Sequence, residues 1–165
     1  MIVAKSNLEV AIEASLHAGK EIIRIYNDTK TDLELELKTD DSPLTVADRN
    51  ANEVILSYLS QTSFPVLSEE GGEFPYEVRK DWALFWMVDP LDGTKDFLRR
   101  NGEFTVNIAL ISNREPVLGV IYIPDRQVLY FAEKGSGAFK ITDVVWDDAV
   151  DWNKLLLRAV KLPLP

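Results

Sequence analysis

Six apolar residues in a row, Ala83-Leu84-Phe85-Trp86-Met87-Val88, run straight into Asp89-Pro90-Leu91-Asp92-Gly93-Thr94. An uninterrupted apolar run of that length, with charge before it and Asp-Pro after it, predicts a buried strand. Pro90 is expected to stop the strand, and Gly93 to permit close backbone approach. Two carboxylates then flank a tight turn that also presents the Leu91 carbonyl at the rim of a sheet. Whatever else the chain forms, it must place this acidic turn at the end of a core strand.

The remaining periodicities supply the layers. Leu8, Ile12, Leu16, Ile22 or Ile23 and Tyr26 recur at helical spacing behind Ser6 and Asn7, so residues 7–27 read as an amphipathic helix. Leu33, Leu35 and Leu37 alternate with polar residues as a short strand or extended edge, and Pro43 biases the chain toward a turn. Ala47, Ala51, Val54, Ile55, Tyr58 and Leu59 mark a second helix over about 45–60, and Val66-Leu67 a small strand. Beyond the acidic turn, 104–112, 117–123, 128–132 and 138–141 read as strands joined by short turns, and about 151–160 as a last helix. Short connections imply an antiparallel meander. The fold class is therefore α+β, with an N-terminal helix pair packed on a mainly antiparallel sheet.

Composition narrows the function. Eighteen basic against 27 acidic side chains leave a net charge of −9, with no basic stripe, which argues against a grip on a nucleic-acid polymer or an anionic membrane. The absence of cysteine excludes thiol catalysis, iron–sulfur clusters and cysteine zinc sites. The first ten residues carry Lys5 and Glu9 and no apolar signal core, and no apolar stretch is long enough to span a membrane. The expected location is the cytoplasm, with a peripheral place on the inner face of the cell membrane left open. The chain stops at Leu162-Pro163-Leu164-Pro165, which reads as a turn in mid-path and leads us to expect a fragment.

Oxygen donors alone suit a hard cation. Two aspartates, a main-chain carbonyl and one further carboxylate, with Glu69 and Glu70 as candidates, satisfy the small near-octahedral preference of Mg2+. Asp-Pro and Asp-Gly also occur as plain turn formers. An EF-hand is excluded, because Asp89, Asp92 and Gly93 lack its ligand spacing. His17 reads as structural or surface, and Gly135-Ser136-Gly137 as a hairpin turn. Trp82, Phe85 and Trp86 read as core aromatics, and Lys95, Arg99 and Arg100 as either a solvated face or a steering patch for a polyanion.

The motif Asp89-Pro90-Leu91-Asp92-Gly93-Thr94, with Glu69-Glu70 upstream, resembles the signature of the inositol monophosphatase superfamily of magnesium-dependent, lithium-sensitive phosphatases. The longer run from Trp86 through Phe97, continuing over Arg99 to Leu110, is similar to its bacterial bisphosphate nucleotidase branch. Ser42-Pro43-Leu44-Thr45 and Ala47-Asp48-Arg49 extend the likeness toward the N-terminus. The resemblance implies a layered αβαβα sugar-phosphatase fold, of which residues 1–165 would be the N-terminal metal-binding part without the second α/β domain. It implies hydrolysis of the 3′-phosphate of adenosine 3′,5′-bisphosphate to AMP and phosphate, in sulfate assimilation, by water attacking phosphorus in line. An inositol or sugar monophosphatase, or a cation-binding fragment without turnover, is the alternative.

Carried over by position, the resemblance makes Glu69, Asp89, the Leu91 carbonyl and Asp92 magnesium ligands. Glu69, Leu91, Asp92, Gly93 and Thr94 would contact the substrate. Thr94 would orient the attacking water with an acidic partner, Asp40 by preference and Asp48 in its place, and Glu70 would accept from a further water. The implied ligand is a small phosphorylated nucleotide, and a homodimer is allowed. Trp146-Asp147-Asp148-Ala149 mimics a metal-binding motif of the missing domain, but Val150 breaks the pattern and the segment reads as a polar lead-in to the last helix.

Overall fold

The computed structural model describes residues 5–28, 36–37, 43–72, 74–144 and 152–163. Helix α1 (Asn7–Asn27) starts where a capping box dictates: the Ser6 hydroxyl accepts from the Glu9 amide at 3.2 Å, and the Glu9 carboxylate accepts from the Ser6 amide at 2.6 Å. Strands β1 (Glu36–Leu37) and β2 (Pro43–Leu44) pair as a small antiparallel ribbon. Thr45 caps helix α2 (Val46–Leu59) with Asp48 as its reciprocal partner. The expected strand positions Leu33 and Leu35 lie outside the described residues.

Strand β3 (Val66–Ser68) leads through a short helix α3 (Tyr76–Arg79) to β4 (Leu84–Asp92), and α4 (Thr94–Arg99) follows at once. Then come β5 (Thr105–Ser112), β6 (Glu115–Ile123), β7 (Val128–Glu133) and β8 (Gly137–Ile141). Helix α5 (Trp152–Leu157) and β9 (Val160–Lys161) complete the order. Seven strands lie side by side in sequence order, β3 to β9. Only β3 on β4 is parallel, and the rest form the antiparallel meander. The α+β class and the helix pair on the sheet stand as read from the sequence.

Both long helices cover one face. Ile12, Leu16, Ile22 and Ile25 of α1 and Ala51, Ile55 and Leu59 of α2 bury against Trp86 and Val88 of β4, Val106 and Ile108 of β5, and Val120 and Tyr122 of β6. Gly19 lets α1 approach β6 closely, since a Cβ there would lie 2.4 Å from the Tyr122 ring. The opposite face is different. Met87 and Ile121 point from it with 46% of their surface exposed, so β4 is buried on one side rather than as a whole.

Three other expectations need correction. Pro90 does not stop β4, which runs on to Asp92 through a bulge. The β5–β6 turn is only Asn113-Arg114, both at positive φ as a tight hairpin requires, so β6 begins at Glu115 rather than Val117. The last helix ends at Leu157, and Val160 pairs with Lys140 as strand β9 instead of continuing it.

Candidate metal centre

The bulge decides what the acidic motif can do. Side chains three apart on a regular strand face opposite sides of the sheet. Here Asp89 is opposite Asn107 and Asp92 is opposite Thr105, so three steps along β4 match two along β5. The extra residue returns Asp92 to the side of Asp89. Pro90 fits there because a bulge does not require its missing N–H, and Pro90 and Leu91 are buried in succession. Asp89 and Asp92 consequently line one shallow cavity of about 570 Å³ on the open face, with Met87, Thr105, Asn107 and Ile121.

The parallel strand brings Glu69. Ser68 is abreast of Val88, and the Glu69 amide donates to the Val88 carbonyl at 3.0 Å, which sets Glu69 beside Asp89. The chain then turns at once, with the Gly71 amide on the Ser68 carbonyl at 3.1 Å. Helix α2 pins this turn. Asn52 accepts from the Ser68 hydroxyl at 2.6 Å and donates to the Glu70 carbonyl at 3.3 Å. Asn52 escaped the sequence reading, although its position one turn after Asp48 puts both polar groups on one helix face.

Electrostatics at the site follow from crowding. Asp89 is pushed up to about 7, first by burial, then by the charges of Glu69 and Asp92 and a hydrogen bond with Glu69. Asp92 acts on it through charge while its own Oδ2 accepts from the Asn107 amide at 3.2 Å. Among the described residues no three acidic or histidine side chains are closed around one point as a finished cage. The donor set nonetheless fits a hard cation: every group is oxygen, and the repulsion of Glu69 and Asp92 that helps to raise the Asp89 carboxyl is what a divalent ion would relieve.

Beyond Asp92 the turn is fixed sterically. Gly93 has φ +92°, and a Cβ there would come within 2.7 Å of the Glu103 carbonyl, so only glycine serves. The Gly93 carbonyl accepts from the Asp96 and Phe97 amides, which starts α4 at Thr94. Phe97 anchors that helix in a ring cluster, 5.3 Å from Tyr26 and 5.4 Å from Phe104. Of the basic cluster, Arg100 is engaged by the Tyr26 carbonyl and ring, and Arg99 by Asp96 at 3.8 Å.

The Thr94 hydroxyl lies 3.1 Å from Asp48 Oδ1 and 3.2 Å from the Leu91 carbonyl. Asp48, only 1% exposed, also accepts from the Thr45 amide at 2.8 Å and the Thr45 hydroxyl at 2.5 Å. Its carboxyl is held above the usual carboxylate range because burial outweighs those hydrogen bonds. Asp40, the preferred partner by resemblance, lies outside the described residues, as does Trp146-Asp147-Asp148-Ala149. His17 stacks on Tyr58 with ring centroids 4.8 Å apart, a structural role. Gly135 and Ser136 form the hairpin turn before β8. Trp86 is fully buried as a core aromatic, whereas Trp82 and Phe85 are half-buried.

Comparisons with known proteins give the chain its relatives. The chain is 49% identical over 131 residues to the 3′(2′),5′-bisphosphate nucleotidase CysQ of Salmonella typhimurium, a match over 78% of this chain and 52% of that protein. It is 46% identical over 160 residues to CysQ of Shigella flexneri, covering 95% of this chain and 61% of the relative. The crystal structure of CysQ from Bacteroides thetaiotaomicron superposes with a TM-score of 0.85 at 49% identity, over 100% of this chain and 60% of that one. The chain thus spans half to three-fifths of the length of these relatives. No described helix is long and apolar enough to cross a membrane. Residues 4–150 match the inositol monophosphatase family, and the chain belongs to that family.

Proposed function

We propose that the protein is a magnesium-dependent phosphatase that removes the 3′-phosphate of adenosine 3′,5′-bisphosphate, leaving AMP and phosphate, a step of sulfate assimilation in the cytoplasm. The observation that carries this reading is the bulge that sets Asp89 and Asp92 on one face beside Glu69, one turn from the Thr94–Asp48 pair. The names of the relatives point to the same substrate class. Magnesium, held by Glu69, Asp89, the Leu91 carbonyl and Asp92, would supply positive charge to polarise the phosphate and promote attack by water.

The chain's own groups have definite tasks. Gly93 and Thr94 cradle the phosphate at the start of α4, with the glycine leaving room for close approach. Thr94 donates to Asp48 and so offers its oxygen lone pairs to the attacking water. As the water oxygen bonds phosphorus, its proton passes to Thr94 Oγ1 while the Thr94 proton passes to Asp48. The bond from phosphorus to the ribose oxygen breaks, and that oxygen takes a proton from solvent. Asp48 is suited to receive a proton, because burial already favours its neutral form. Glu70, fixed through its carbonyl by Asn52, accepts from a water beside Glu69.

Phosphate release from adenosine 3′,5′-bisphosphate and from inositol 1-phosphate, with and without Mg2+, tests the reading. We expect release from the nucleotide that requires Mg2+ and falls about 100-fold or more in Asp92→Asn. Preference for inositol 1-phosphate, or activity untouched by Asp92→Asn, would overturn it.

A further inference from the structure

Asn107 has no part in the chemistry above, yet it grips one member of the acidic turn. On β5 it is opposite Asp89 of β4 and Ile121 of β6, with Val106 and Ile108 buried on either side of it. Two ladders and two core side chains therefore hold its backbone. The amide reaches diagonally rather than straight across: Nδ2 donates to Asp92 Oδ2 at 3.2 Å, while Oδ1 accepts from the Thr105 hydroxyl at 3.2 Å. Thr105 is in turn the residue opposite Asp92. The bonds run from Thr105 to Asn107 to Asp92, and the bulge is what makes them possible, because it returns Asp92 to this face.

The last member of that chain of bonds fixes its direction. An ionised carboxylate accepts and never donates, so Asn107 must turn its nitrogen to Asp92 and its oxygen to Thr105, and the Thr105 hydroxyl must donate. Met87 and Ile121, which line the same cavity, bring no side-chain donor to compete. The two oxygens of Asp92 are thereby unequal. One lone pair of Oδ2 is occupied by an N–H, whereas Oδ1 takes no part in that bond.

That inequality bears on which ion the turn selects. Mg2+ demands a small, near-octahedral shell, which single carboxylate oxygens suit, whereas the larger Ca2+ takes about six to eight oxygens and often both from one carboxylate. We propose that Asn107 is a positioning residue that makes Asp92 a one-oxygen ligand and so biases the centre toward Mg2+ against Ca2+. The proposal rests on the magnesium reading above and deepens it, by naming the residue that discriminates between the two cations. Asn107 acts through Asp92 and not as a ligand, its own amide oxygen being taken by Thr105.

Calorimetry of Mg2+ and of Ca2+ binding to the whole chain, without nucleotide, reads this preference apart from catalysis. Asn107→Leu keeps the side-chain size and removes the donor, and its half-buried place on the open face leaves the fold intact, checked by the melting temperature without added cation. Mg2+ affinity should fall about tenfold and Ca2+ affinity by about threefold or less, so that the preference for Mg2+ over Ca2+ drops about threefold or more from its wild-type value. Asn107→Ala, which empties the space instead of filling it, should lower the ratio as much. Equal losses for both ions, as mere loosening of the turn would give, or affinities that do not change, overturn the proposal. A wild type that binds neither ion overturns it together with the magnesium reading. Phosphate release measured in parallel keeps the two readings apart. Mg2+-dependent release with a ratio untouched by Asn107→Leu removes the role of Asn107 and leaves the phosphatase. A ratio that depends on Asn107 without release supports that role and removes the phosphatase.

Discussion

The two faces of the large sheet are built from alternate residues of the same strands, yet they do different work. On the face covered by α1 and α2, Trp86, Val88, Val106, Ile108 and Val120 are each no more than 3% exposed. On the other, Met87, Asp89, Asn107 and Ile121 share a shallow cavity with Asp92. Every packing residue thus has a chemical neighbour one step along the chain. The rigid face is what keeps the open one in place: Asp89 cannot move without Val88, and Thr94 cannot move without Phe97. The bulge at Pro90 breaks the alternation on β4, and it shifts an acid from the packing side to the chemical side.

The contrast is tested most severely at Trp86. Its ring is fully buried, and its Nε1 donates to the Thr62 hydroxyl at 2.9 Å, so Trp86→Ala leaves a cavity and removes that hydrogen bond, while Thr62 keeps its own bond to the Leu59 carbonyl. We expect a loss of about 3–5 kcal/mol, read by urea denaturation, which is much of a domain's stability. A loss near 1 kcal/mol would mean that the covered face is not the framework described here.

Asp48 sharpens the comparison from inside the covered layer, as a titratable group among packed helices. Burial raises its carboxyl above the usual range, so protonation favours the folded state. Its contribution to stability is therefore most favourable below the unfolded value, near 4, declines as pH rises through the raised folded value, and is level above that. Asp48→Asn stays neutral and lacks this decline. The melting temperature of the variant relative to wild type should rise between pH 4 and pH 8, whatever the offset from rearranged hydrogen bonds. A constant difference across that range would show that Asp48 titrates as an exposed carboxylate.

Sequence patterns revealed one face better than the other. Helix α1 could be read because Ser6 and the 3.6-residue spacing of Leu8, Ile12 and Leu16 are local signals. The acidic turn could be read because its residues are contiguous. The pairing of Thr94 with Asp48 spans 46 positions and depends on how α2 sits over the motif, which no local pattern encodes. The Pro90 bulge was hidden because proline ordinarily ends a strand, and only the opposing register of Asn107 and Thr105 reveals that it does not. Strand β9, two residues long, has no periodicity to detect. Nor does the apolar run Ala83–Val88 disclose that one of its faces is open, since Met87 in water and Met87 in a core are the same letter.

The smallest effect probes that open face directly, through neighbours on β6. Val120 is 1% exposed toward the helices and Ile121 is 46% exposed on the other side. Val120→Thr keeps the side-chain shape and puts a hydroxyl where no water can reach it, at an expected cost of about 1–3 kcal/mol. Ile121→Thr removes less buried surface and leaves its hydroxyl hydrated, so its cost should stay within about 0.5 kcal/mol. If instead the two losses were equal, Ile121 would have to be covered in solution. Sedimentation would then show the chain associating through this face, and the melting temperature would rise with protein concentration. A small, concentration-independent loss at Ile121 beside a large one at Val120 would establish that water reaches the side of the sheet on which Asp89 and Asp92 lie.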